Sequence, residues 1–83
     1  MAKYSVLIGE DAKVEFLEIP FPFRRQVNQW INKLKANPHL EAAEAIAGSE
    51  GFRVDVAGWR ILYEVEGTEV RILAFRRVAD PPS

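Results

Sequence analysis

The chain has no cysteine, a single histidine and no excess of basic residues. Without cysteine there is neither a disulfide framework nor thiolate chemistry. His39 stands alone in a polar connection after Pro38. Nothing near it in sequence suggests a catalytic triad, and the carboxylates are scattered without ligand spacing, so no metal is expected. Gly48-Ser49-Glu50-Gly51 has too few glycines and no lysine to cradle phosphates as a phosphate loop does. No apolar run approaches the ~20 residues that a membrane helix requires. Met1-Ala2-Lys3-Tyr4 lacks the apolar stretch of a signal peptide. Neither membrane insertion nor secretion is therefore expected. Eleven Lys and Arg face twelve Asp and Glu, a net charge of −1. Residues 1–47 carry six of each sign and residues 48–83 carry five basic against six acidic, so neither half is basic. A nucleic-acid binder usually shows a basic excess. Here the positive charge is only local, in Arg71, Arg76 and Arg77, with no further acid until Asp80.

What the chain does have is patterned apolar residues. Its 83 residues are 48% hydrophobic, enough for one small packed domain, residues 1–83, and not for two cores. A domain of this size without staples is marginal alone and gains stability from a partner.

The strongest pattern runs from Gly48 to Arg77. Phe52, Val54 and Val56 alternate with Arg53, Asp55 and Ala57. Trp59, Ile61, Tyr63 and Val65 alternate with Arg60, Leu62, Glu64 and Glu66, and Val70, Ile72 and Ala74 alternate with Arg71, Leu73 and Phe75. A period of two puts one set on a packed face and the other on the opposite face. Gly58 and Gly67 supply the positive φ of two tight hairpin turns. Three consecutive antiparallel strands follow. The opposite face then holds Arg53, Asp55, Arg60, Leu62, Glu64, Arg71, Leu73, Phe75 and Arg77.

Upstream, Tyr4–Ile8 reads as a strand and Asp11 as the N-cap of a helix from Ala12 to about Ile19. The competing reading of residues 13–19 is a second strand, since Val14 and Phe16 alternate with charges. Pro20 and Pro22 end this element. From about Pro22 to Ala36, Phe23, Val27, Trp30, Ile31 and Leu34 make one apolar stripe at helical spacing. Lys33 and Lys35 suit its C-terminal dipole, and Asn37-Pro38 stops it. Leu40–Ala47 is short and is expected to be a loop or a single turn. Asp80–Ser83 is expected to fray. The expected core is Phe16, Leu17, Val27, Trp30, Ile31, Leu34, Phe52, Val54, Val56, Ile61, Tyr63, Val65, Val70 and Ile72.

The order GSEGFRV…GWRILYEVEG…VRILAFRR resembles the C-terminal half of the RelE/ParE toxins of bacterial type II toxin–antitoxin pairs. In that family a short basic strand precedes a Gly-aromatic-Arg-aliphatic-aliphatic-Tyr strand, here Gly58-Trp59-Arg60-Ile61-Leu62-Tyr63. The strand, helix, Ile19-Pro20 step, longer helix and Asn37-Pro38 stop of the first half fit the same family, so the resemblance spans nearly the whole chain. It implies an α+β fold, with two N-terminal helices packed on one face of a small, antiparallel-rich four-stranded sheet. It also implies a cytoplasmic toxin with a cognate antitoxin as partner.

For activity, the resemblance implies growth arrest by ribosome-associated mRNA cleavage, without metal or cofactor. In the RNA-cleaving members the RNA's own 2′-hydroxyl attacks the adjacent phosphate, and cationic side chains stabilise the developing charge. Arginine suits that task because its planar fork holds two phosphate oxygens and keeps its charge. Arg53 and Arg60 fall on such positions, and Arg76 or Arg77 falls near the family's C-terminal basic position. Arg53, Arg60 and Arg77 are thus the expected catalytic residues, with Arg71 and Arg76 binding RNA phosphates. Leu62, Leu73 and Phe75 form an apolar patch among the arginines, the expected contact for a partner. The bland alternative is that the arginines pair across strands with Glu64, Asp55 or Glu66. Two departures from the family favour a member without catalysis, either a ParE-like inhibitor of DNA gyrase or a degenerate toxin that keeps only antitoxin binding. Asp55 stands where the RNA-cleaving members tend to have a second lysine, and the family's C-terminal tyrosine is missing. Tyr63 has the parity of the packed face, where its hydroxyl serves a core hydrogen bond rather than proton transfer.

Overall fold

The structure is a computed structural model that describes residues 4–39 and 43–78. Met1, Leu40 and the tail from Asp80 to Ser83 lie outside the described residues.

Five strands and two helices follow in the order β1 (Ser5–Ile8), α1 (Glu10–Glu18), α2 (Phe21–Ala36), β2 (Glu44–Ala45), β3 (Gly51–Val56), β4 (Trp59–Glu66) and β5 (Glu69–Arg77). The sheet order is β1-β5-β4-β3-β2. β1 runs parallel to β5, and the other pairs are antiparallel. The sheet therefore has five strands rather than the expected four. The addition is β2, within the segment expected as a loop or turn, where Glu44 pairs with Arg53 and Ala45 with Phe52. Two residues carry no readable alternation.

Residues 10–18 form a helix and not the competing strand. Its cap is Gly9, and Asp11 sits in the first turn beside Glu10, where acids complement the N-terminal dipole. Arg24 fixes the step between the helices: its guanidinium donates to the carbonyls of Leu17 (2.7 Å) and Ile19 (3.2 Å), which α1 leaves unpaired. In α2, Pro22 occupies the first turn and Lys33 and Lys35 the last.

One core joins helices and sheet. Ala12, Ile19, Val27, Ile31 and Leu34 are buried with Val54, Val56, Ile61, Tyr63, Val70, Ile72 and Phe75. Phe16, Trp30, Phe52 and Val65 pack against it half-buried. Leu17, expected inside, is 64% exposed. Ile19, one step beyond the helix, fills the core in its place. Tyr63 is fully buried, and its hydroxyl donates to the Pro38 carbonyl at 2.7 Å, the core hydrogen bond that its parity suggests. Burial pushes this phenol up to about 12.

Both hairpins turn as expected. At the β3–β4 turn Ala57 and Gly58 both have positive φ (54° and 86°), and at the β4–β5 turn Gly67 does (60°). These signs match the primed turns that suit the twist of paired strands.

The consequential irregularity is in β5. Tyr63 faces Ile72, but Leu62 faces Ala74, so Leu73 is an extra residue. Such a bulge reverses the alternation beyond it. Phe75 then faces Ile61 across the strands and is 2% exposed, with its ring 5.4 Å from that of Phe16. Phe75 is thus a core residue, not part of the open face on which it was expected to meet a partner.

Candidate functional site

The same bulge decides which C-terminal arginine joins Arg60. Arg76 lies directly opposite Arg60, and Arg77 lies opposite Trp59. Across the open face of the sheet, Asp55, Arg60 and Arg76 form one cross-strand row, and Glu44, Arg53, Leu62 and Ala74 form the next. Gly51, Glu64, Arg71 and Leu7 form the third. Arg77, expected to act with Arg53 and Arg60, is therefore turned away from them. It lines a separate recess with Pro20, Phe23, Ala57, Gly58 and Trp59.

Arg53 and Arg60 do come together. With Glu44, Val54 and Asp55 they line a concavity of about 180 Å³. Each is already held by a carboxylate. The Arg60 guanidinium donates through Nε to Asp55 Oδ1 (2.8 Å) and through Nη2 to Asp55 Oδ2 (3.3 Å), a two-pronged pair. Arg53 donates through Nη2 (2.9 Å) and Nε (3.2 Å) to one oxygen of Glu44. The Arg60–Asp55 pair is not internal: its side chains are 38% and 51% exposed. The hydrogen bond from Arg60 holds the Asp55 carboxyl below its ordinary value, and the same contact raises Arg60.

The remaining arginines of this face are also paired. Arg71 lies 2.8 Å from Glu69, 3.6 Å from Glu64 and 3.7 Å from Glu66. Arg76 bonds Glu15 of α1, whose other oxygen accepts the Phe75 N–H at 3.2 Å. Glu15 thereby satisfies a β5 donor beyond the end of β1 and covers that strand edge. Arg77 makes no ion pair with any described residue. Cross-strand pairing with Asp55, Glu64 and Glu66 follows the bland alternative, while the partners Glu44, Glu15 and Glu69 were not among those expected. Glu44 sits on the unreadable β2, and Glu15 reaches Arg76 from 61 positions away in sequence.

Of the apolar trio, Leu73 is 49% exposed and Leu62 is half-buried on the open face. Leu7, on the same face opposite Arg71 and 52% exposed, belongs with them. His39 is exposed, with its ring 5.6 Å from Phe52 in edge-on contact. Among the described residues no three His, Asp or Glu side chains converge as metal ligands, and no helix is long and apolar enough to cross a membrane.

No family model matches the sequence, and no curated protein matches it. Solved structures do. The isolated Escherichia coli RelE toxin superposes with a TM-score of 0.83 at 17% identity, over 94% of this chain and 87% of that one. The toxin–antitoxin complex RelBE2 of Mycobacterium tuberculosis gives 0.79 at 20% identity, over 90% of this chain and 98% of that one. A chromosomal ParDE system of P. aeruginosa gives 0.76 at 13% identity, over 95% and 100%. RelE and ParE structures thus match over nearly the same span, and at these identities the likeness is one of fold. The fold of this chain is that of the RelE and ParE toxins.

Proposed function

We propose that this chain is the toxin component of a bacterial type II toxin–antitoxin pair, cytoplasmic and held in check by a cognate antitoxin. The observation that carries this reading is the superposition on RelE and ParE chains over at least nine-tenths of the sequence. Several of those neighbours are complexes with antitoxins. The exposed Leu7 and Leu73 on the sheet's open face are a contact surface for such a partner.

Its activity in this reading is growth arrest through ribosome-associated mRNA cleavage, with no metal or cofactor. The supporting feature is the concavity over Arg53 and Arg60, joined across the strands by Arg76. In this reading the three guanidinium groups, on adjacent strands, hold a phosphodiester and stabilise the charge that builds up when a 2′-hydroxyl attacks it. In this reading Arg71, two rows further along the same face, is an additional phosphate contact.

A second reading is favoured by one specific contact. Asp55 occupies the guanidinium of Arg60 with both oxygens, which opposes phosphate binding. A member that binds without cleaving, as a gyrase inhibitor or an antitoxin-binding remnant, fits that contact. Inducing the chain in bacteria while following messages and DNA supercoiling together separates the readings. Early loss of translation with cleaved messages supports the nuclease. A DNA-damage response with intact messages supports gyrase as target, and no effect supports the remnant.

A further inference from the structure

We infer that Asp55 is a built-in competitor for the anion site of Arg60, so that RNA binds only by displacing its carboxylate. The inference rests on the toxin reading above for the identity of the anion and on the structure for everything else. A carboxylate and a phosphate present the same pair of acceptor oxygens to a guanidinium fork. Asp55 presents both of its oxygens to Arg60, at 2.8 and 3.3 Å, across the β3–β4 ladder. It therefore fills the geometry that a phosphodiester would take.

Three further observations make this contact a competitor rather than a structural tie. Asp55 accepts no other hydrogen bond from a described residue, so displacing it disturbs no network. Both partners are more than one-third exposed, so water takes over whichever group is released, and exposed pairs of this kind add little to stability. The pair also opens into the concavity lined by Arg53 and Val54, so an incoming group meets it from solvent. Glu44 repeats the arrangement on Arg53 with a single oxygen, from the exposed two-residue strand β2. The groove thus carries two cations and two carboxylates, which accounts for a nucleic-acid site on a chain without a basic excess. Removing one carboxylate converts a neutral groove into one with a net positive charge.

The test measures binding of a fluorescently labelled ten-nucleotide single-stranded RNA to the purified full chain, over a range of salt. The proteins compared are wild type, Asp55→Asn, Arg60→Ala, the double variant, and Asp11→Asn as an equal charge change on α1. Asp55→Asn is expected to bind about tenfold more tightly at low salt, with the slope of log affinity against log salt steeper by about one. Adding Arg60→Ala is expected to abolish the gain, and Asp11→Asn is expected to change affinity less than about twofold. The inference is overturned if Asp55→Asn binds RNA no better than wild type, if Asp11→Asn produces the same gain, or if the gain survives Arg60→Ala. Growth arrest on induction, read in parallel, tests the toxin reading separately. Tighter RNA binding without arrest leaves the competitor standing and removes the toxin. Arrest without any gain in RNA binding does the reverse.

Discussion

The two faces of β4 follow different physical rules. Ile61 and Tyr63 point inward and are fully buried. Ile61 sits between Val54 and Phe75 on the neighbouring strands, and Tyr63 stacks on Phe52 with ring centroids 5.5 Å apart while donating to Pro38. Arg60, Leu62 and Glu64 point outward and are half-buried at most. Arg60 pairs with Asp55 and Glu64 with Arg71, exposed ion pairs whose members can be exchanged for a group on another molecule. The inward residues set the fold because leaving one incompletely packed or unpaired is costly. The outward residues are free to carry recognition because exchange there costs little.

The largest expected difference lies in β5, where the bulge sends Leu73 and Phe75, two positions apart and of the same parity, to opposite faces. Phe75→Ala is expected to destabilise the domain by about 3–5 kcal/mol, since it empties a buried aromatic site. Leu73→Ala, on the exposed side, is expected to cost less than about 1 kcal/mol. Chemical denaturation of the two variants checks this. Equal costs would mean that β5 is not bulged as described.

A smaller effect is expected at Tyr63 on the inner face. Tyr63→Phe keeps the ring but leaves the buried Pro38 carbonyl without its donor, at an expected cost of about 1–3 kcal/mol. The phenol is raised from an ordinary value near 10 to about 12, so the fold favours its neutral form. The stability this contributes is complete below pH 10 and is lost as the pH rises through 12. Wild-type stability is therefore expected to fall over that window, and that of Tyr63→Phe to fall less. Parallel denaturation curves at pH 9 and pH 11.5 measure the difference, and identical pH dependence would place the hydroxyl in water.

How much of this was legible in the sequence follows the same division. The alternation from Phe52 to Val70 put Val54, Val56, Ile61, Tyr63 and Val70 inside, because a strand buried on one face must repeat every second residue. Gly58 and Gly67 located both turns, since few other residues accept positive φ. The stripe Val27, Ile31, Leu34 located α2. The bulge at Leu73 was not legible. In Ile72-Leu73-Ala74-Phe75 every residue is apolar, so a one-residue slip leaves no mark on the pattern, yet it carries Phe75 inward and puts Arg76 rather than Arg77 beside Arg60. Leu17 and Ile19 were exchanged for a related reason: a nine-residue helix has too few turns for its stripe to fix where the chain leaves it. For the candidate site, Arg53, Arg60 and Asp55 were recognisable as neighbours on one face. The pairing with Glu44 was not, because it depends on a two-residue strand that only tertiary contact creates.

The most direct test of the central claim, that the open face serves recognition and not the fold, is Arg60→Ala measured for thermal unfolding and for growth arrest in the same preparation of strains and protein. An unfolding midpoint close to wild type and loss of arrest are expected. Arrest undiminished by the substitution, or a midpoint lowered as far as in Phe75→Ala, contradicts it.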